Sequence, residues 1–231
     1  MCGRYTLGQG TLKKFEEALG IRAPEILSRY NVCPGQDNPV IRGHRPDATE
    51  FSCESMRWGF VPNWLKEPTT KTFTINARVE TASEKPYFRD AYRKRRCLVP
   101  ADGYYEWQQV GKTKIPHFIK RGNETFAFAG LWDSREDTAG ALAPSYAIIT
   151  TAAAERVRFI HHRMPVVLPQ RHWKAWLDDA TPTDSLPAIL KDAVTDFDSH
   201  TVSGSVNSRE NEGPELVRPV KRSLQEELDF T

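Results

Sequence analysis

From residue 97 to residue 151 the chain reads as one β-patterned stretch after another, and this run limits the possible folds more than any other feature. Cys97-Leu98-Val99-Pro100 and Gly103-Tyr104-Tyr105-Glu106-Trp107 flank an Ala-Asp-Gly turn, and strand material follows at 116–120, 125–132 and 146–151. All of it is rich in aromatic and β-branched residues. Residues 40–42 and 51–58 add two strands around a loop holding Gly43, Pro46 and Asp47, and 166–168 add another. Residues 30–36 read as an extended segment entering a turn at Pro34-Gly35. Residues 74–81, if extended, set Asn76, Arg78 and Glu80 on one face.

Helical spacing is confined to short pieces. Leu12, Phe15, Glu16, Ala18 and Leu19 recur with helical period over 10–19, and Gly20 suits the C-cap. Further helices are predicted at 23–29, 88–96, 152–160, 171–177 and 186–193; the basic end of the 88–96 helix reads as a solvated face. Residues 202–219 are loop-like and the last residues are charged. The expectation is an α+β fold, a single domain over 1–231 with its core at about 2–220, built on a mixed or antiparallel barrel-like β-sheet with flanking helices.

Composition excludes little beyond the extremes. A chain of 231 residues, 39% hydrophobic and 27% charged, can bury a proper core. A net charge of +2 is too small to announce a nucleic-acid binder. Cys2, Cys33, Cys53 and Cys97 are widely spaced with no CxxC, so neither a disulfide framework nor a zinc site is expected. His44, His117, His172 and His200 supply no ligand spacing, and no cofactor is implied. With only strand-sized apolar runs and no signal peptide, a soluble, cytoplasmic monomer is the expectation.

The chemistry of the sequence gathers at Met1-Cys2-Gly3-Arg4. Once Met1 is removed, Cys2 carries an α-amine and a thiol on adjacent carbons, titrating near pH of about 8 and about 8.5. Such an aminothiol condenses with an aldehyde to an imine, and the thiolate closes on the imine carbon to give a thiazolidine. A second cysteine in a chain is more commonly an inert thiol, and these four residues alone do not decide the matter. Glu106, between Tyr105 and Trp107, shares a strand face with Tyr104; beside aromatics its pKa rises toward neutrality, unless it faces water at a strand edge. His161 and His162 follow an apolar stretch, and adjacent histidines pointing different ways leave one of them for a site. Arg4, Arg78 and Arg163 have the fork that suits a phosphate, and Trp58, Trp64 and Trp107 have faces that stack on bases, although surface arginines and core tryptophans are commoner.

Taken as an ordered set, these pieces resemble the SOS-response-associated peptidase family, whose members process abasic sites in single-stranded DNA. The matching pieces begin with Met1-Cys2-Gly3-Arg4-Tyr5, Tyr30-Asn31-Val32-Cys33-Pro34 and Met56-Arg57-Trp58-Gly59-Phe60-Val61-Pro62-Asn63-Trp64. Asn76-Ala77-Arg78-Val79-Glu80-Thr81 and the stretch from Arg96-Cys97-Leu98 to Tyr105-Glu106-Trp107 follow. Phe128-Ala129-Gly130-Leu131-Trp132, Ile149-Thr150-Thr151, His161-His162-Arg163-Met164-Pro165 and Val206-Asn207-Ser208 complete the set. Cys33, where an alanine is expected, and His162, where an acid is common, depart from the pattern.

The resemblance implies that Cys2 forms a thiazolidine crosslink with the ring-opened sugar of an abasic site and shields the lesion from strand cleavage. It implies that Glu106 positions the α-amine and moves protons, that Asn76 orients the cysteine and that His161 helps open the sugar. DNA contacts are expected from Arg4, Arg78 and Arg163, with Trp64, Trp107 and Thr150 beside them. Single-stranded DNA is then the partner, with the replication machinery and nucleoid as its setting, and Met1 leaves by processing, through an aminopeptidase or autocatalytically. An N-terminal-nucleophile amidohydrolase would use the same Cys2 with its own amine as base. A single-strand binding module with an inert Cys2, or a lyase that cleaves by β-elimination from the imine, would also fit these residues.

Overall fold

The computed structural model describes residues 2–43, 51–66, 72–136 and 140–220. Met1, the loop positions Pro46 and Asp47, most of the Thr-rich connection and the charged end beyond residue 220 lie outside the described residues.

In chain order the strands are β1 (Tyr5–Leu7), β2 (Arg29–Val32), β3 (Asp37–Arg42), β4 (Ser52–Trp58), β5 (Asn76–Arg78) and β6 (Arg96–Ala101). Then come β7 (Gly103–Val110), β8 (Thr113–Lys120), β9 (Phe126–Glu136), β10 (Leu142–Ala152), β11 (Arg163–Pro165), β12 (Val167–Leu168) and β13 (Asp198–Thr201). Five of them close on themselves: β10 pairs in parallel with β4, and β4–β3, β3–β6, β6–β9 and β9–β10 are antiparallel. This mixed five-stranded barrel carries β5, β11 and β12 as attachments. A second, antiparallel sheet runs β13–β8–β7–β1–β2. The barrel-like α+β architecture read from the sequence is therefore correct.

Period-two alternation sorts the barrel side chains into two cores. Leu98, Ala127, Ala129, Leu131, Ala147 and Ile149 join one apolar cluster with Trp173, Trp176 and Leu177. Their neighbours Cys97, Val99, Phe128, Tyr146 and Ile148 join the other, with Tyr5 and Tyr104 of the opposing sheet and with Cys2, which precedes it. The short helices α1 (Lys13–Leu19), α2 (Arg89–Lys94), α3 (Glu155–Arg158), α4 (Trp173–Leu177) and α5 (Leu186–Lys191) complete the fold. Gly20 does cap α1, at φ 70. Gly103, where β6 turns into β7, must be glycine for space: a Cβ there would lie 2.1 Å from the Phe118 ring.

Several predicted elements differ. Residues 23–28 form no helix. None of these residues is fully buried and Leu27 is left 82% exposed, so no packed face stabilises so short a helix. The helix read over 152–160 shrinks to the single turn of α3, because β10 runs on to Ala152. The basic end of α2 is a solvated face at Arg93 and Lys94, which are exposed, but Arg96 lies beyond it: it begins β6 and is buried, donating to the carbonyls of Trp176 at 2.7 Å and Tyr92 at 3.0 Å, and to those of Arg93 and Asp178. β13 falls outside every predicted strand, and the loop-like 202–219 segment contains tight helical turns at Gly204–Asn207 and Pro214–Val217.

Candidate active site

The site forms where the start of the chain runs along β7. Tyr5 pairs with Tyr104, and the Tyr105 N–H donates to the Arg4 carbonyl at 3.0 Å, so Cys2 and Gly3 continue past Glu106. Cys2 is fully buried. Its carbonyl accepts a 2.9 Å hydrogen bond from Asn76 Nδ2, and its thiol lies 3.9 Å from the Arg4 carbonyl. Asn76 is brought there by β5, which pairs in parallel with β10 through Ile148. Burial pushes the Cys2 thiol far up, and the Glu106 carboxylate adds to the effect.

Glu106 is 3% exposed, which rules out the strand-edge alternative. Burial raises its carboxyl pKa above the usual carboxylate range, although positive charge and hydrogen bonding nearby oppose this. Its cross-strand partner on β8 is His117, whose Nε2 lies 3.1 Å from Gln108 Oε1. Glu106 and His161 face a common cleft of about 600 Å³, lined also by Trp107, Gln109, Lys114 and Asn207. A cleft of this volume has room for a small ligand group.

His161 sits in the bend after α3, and the Arg163 N–H donates to its Nδ1 at 3.0 Å. The same Nδ1 lies 3.1 Å from the Arg163 carbonyl, so the backbone of Arg163 holds this edge of the ring in either tautomer. Burial lowers the His161 pKa, which favours the neutral form at pH 7. The two histidines do not point different ways: their rings stack with centroids 4.4 Å apart. The bend, unlike an extended strand, turns consecutive side chains to one side. The proximity of His161 is the first cause of a lowered His162 pKa, and Arg163 and Arg78 push the same way, so His162 sits within reach of both arginines.

The other expected contacts divide. Arg4 donates to Asn31 Oδ1 at 2.7 Å and to the carbonyls of Val206 at 2.8 Å and Asn207 at 3.2 Å, acceptors that are all uncharged, so its charge is not neutralised by them. Arg78 is exposed. Arg163 instead spends its fork on Glu80, at 2.6 and 3.0 Å, and on the Thr150 carbonyl at 2.6 Å. Thr150 is fully buried, its hydroxyl lies against the Ala77 carbonyl, and its own carbonyl braces Arg163. Trp107 Nε1 donates to Asn207 Oδ1 at 2.8 Å at the cleft wall. Trp64, 53% exposed, packs edge-on to Tyr87 and is not among the residues lining the cleft.

Gln109, Lys114 and Asn207 were absent from the sequence reading of the site. Gln109 and Lys114 are partners in the β7–β8 hairpin, so their place follows from its register, whereas Asn207 had a signal in the Val206-Asn207-Ser208 motif. Among the described residues no three His, Cys, Asp or Glu side chains gather as metal ligands, and no helix is long and apolar enough to cross a membrane.

Residues 1–209 match the family described as SOS response associated peptidase (SRAP). The chain is 38% identical over 225 residues to the abasic site processing protein YoqW of Bacillus subtilis, spanning 94% of this chain and 99% of that one. It is 34% identical to the abasic site processing protein HMCES of Gallus gallus over 100% of this chain and 81% of that protein. Identity to the abasic site processing protein YedK of Escherichia coli is 30%, over 95% and 100% of the two chains. The X-ray structure of a protein from Bacteroides thetaiotaomicron superposes with a TM-score of 0.81 at 25% identity, covering 95% of this chain and 100% of that one.

Proposed function

The chain belongs to the SOS response associated peptidase family, and from that premise we propose that it processes abasic sites in DNA by covalent capture. One observation carries the reading. The residue able to become an N-terminal aminothiol is buried beside an acid with a raised pKa, its backbone is held by Asn76, and that acid opens onto a cleft shared with a histidine.

Met1 leaves first and frees the Cys2 amine. An abasic sugar enters the cleft, where His161 hydrogen-bonds its ring oxygen and assists opening to the aldehyde. The amine adds to the aldehyde carbon, Glu106 takes the ammonium proton and returns it to the departing hydroxyl, and one water is lost as the imine forms. The Cys2 sulfur then adds to the imine carbon and closes the thiazolidine. The same carboxyl, reprotonating the ring nitrogen, provides the way back. With no base to read, recognition rests on phosphates and neighbouring stacked bases in single-stranded DNA. Arg4 and Arg78 are the available cations, Trp107 and Trp64 the stacking surfaces. Arg163 reaches a phosphate by exchanging Glu80, which is half exposed.

The test is a denaturing gel of the protein with single-stranded DNA carrying one abasic site, alongside Cys2→Ala and a blocked N-terminus, with Met1 removal followed by mass. A heat-stable band that needs both the aldehyde and free Cys2 is expected. No band from protein verified to lack Met1 would sink the proposal and bring forward amide turnover by an N-terminal nucleophile.

A further inference from the structure

Three polar side chains share the apolar pocket at the start of the chain: the thiol of Cys2, the carboxyl of Glu106 and the phenol of Tyr104. The chemistry above employs the first two and leaves Tyr104 without a task. Tyr104 and Glu106 are two residues apart on β7 and so share a face. Tyr104 lies in the same apolar cluster as Cys2, and its ring is held between Phe128 and Phe197, at centroid distances of 6.1 and 6.0 Å. Its hydroxyl is buried and has no hydrogen-bond partner among the described residues. Such an orphan costs free energy that a phenylalanine of the same shape would avoid. Cys2 has the complementary lack: its thiol donates toward the Arg4 carbonyl, and among the described residues no donor is directed at its sulfur.

We propose that Tyr104 is a further catalytic residue, its phenol donating a hydrogen bond to the Cys2 sulfur as that sulfur closes onto the imine carbon. The inference rests on the covalent-capture reading. In this step a C–S bond forms, the π pair of the C=N bond moves to nitrogen, and the thiol proton passes by way of Glu106 to that nitrogen, with no oxidation or reduction. Negative charge accumulates on sulfur only while its proton has left and the C–S bond is incomplete. A fixed O–H directed there strengthens its bond at that moment and not before, which is the condition for accelerating a step. Burial, reinforced by the charges of Cys2 and Glu106, holds the phenol far above its ordinary pKa, so it remains a donor and does not compete as a base. The titratable groups around the pocket are Cys2, Glu106, His117 opposite Glu106 on β8, and the stacked His161 and His162 at the cleft.

The experiment compares Tyr104→Phe with the parent, both verified to lack Met1, on single-stranded DNA with one abasic site. Brief borohydride treatment traps imine and leaves thiazolidine, so the two steps are read separately. In Tyr104→Phe the imine should form at the parental rate while closure slows about 10-fold or more, the loss expected for one hydrogen bond to a charged group. The limb of the closure rate that reports thiol ionisation should move to higher pH, and Tm should hold or rise. Placing 3-fluorotyrosine at 104, a more acidic phenol, should restore closure, and it keeps the test decisive if the phenylalanine variant folds poorly. Tyr5→Phe, which removes a hydroxyl bonded to Tyr146 at 2.9 Å, should lower Tm without changing the imine fraction. Parental closure and an unmoved pH limb in Tyr104→Phe would overturn the assignment. A parent that gives no covalent band overturns the capture reading itself, and this one with it.

Discussion

Arg96 and Cys2 both lie buried among polar groups, yet the two surroundings are finished to different degrees. Arg96 donates to four backbone carbonyls and places its guanidinium 5.7 Å from the Trp176 ring. Burial lowers its pKa, and the nearby Asp179, Tyr92 and Asp178 counter that. Around Cys2 the Tyr104 hydroxyl and Asn76 Oδ1 are buried without partners among the described residues. The first arrangement ties α2, α4 and β6 together and is complete in the free protein. The second is incomplete in the free protein, as expected where the missing partners arrive with a substrate. A buried polar residue therefore signals chemistry only when its bonding is left open.

The contrast is broken most severely at Cys2. Cys2→Ala should abolish the covalent band while costing about 1 kcal/mol of stability, read as lost gel shift against a small change in Tm. Glu106→Gln should slow capture by about 100-fold or more, the usual worth of a positioned acid–base group. Its stability should move the opposite way. Burial raises the folded pKa of Glu106, so the native state keeps a proton that the unfolded chain releases above pH of about 4.3, and stability falls as pH climbs through the folded value. Glutamine escapes that decline, so the Tm advantage of the variant should widen across this window and then level off.

Arg96→Ala tests the finished side. It should destabilise by roughly 3 kcal/mol, measured by denaturant unfolding, because several buried carbonyls lose their donor together. Capture per folded molecule should stay parental, and a loss comparable with Glu106→Gln would erase the distinction drawn here. The smallest effect is expected from Glu80→Gln. It should raise affinity for single-stranded DNA a few-fold and steepen the salt dependence, since Arg163 is then released to a phosphate.

The β-scaffold was legible because strand-sized runs such as Cys97-Leu98-Val99-Pro100 bury both faces and carry their pattern locally. Helix lengths were less so: α3 and α5 are set by where the neighbouring strands stop and by buried faces of only a few residues. At the site, period two put Glu106 and Tyr104 on one face. Nothing local could reveal that Arg163 is occupied by Glu80, 83 positions away, or that Thr150 is wholly enclosed. Nor could it show that two adjacent histidines stack, which depends on a bend in the backbone.

The brace on Arg4 has a consequence for biosynthesis. Its guanidinium is held by the carbonyls of Val206 and Asn207, while Asn31 beneath it donates to those of Ser208 and Asn211. The start of the chain is thus locked by residues translated some two hundred positions later. On the ribosome, where folding proceeds from the N-terminal side, the start of the chain waits unbraced until the last part of the domain emerges. The first residues made are therefore among the last to reach their final geometry.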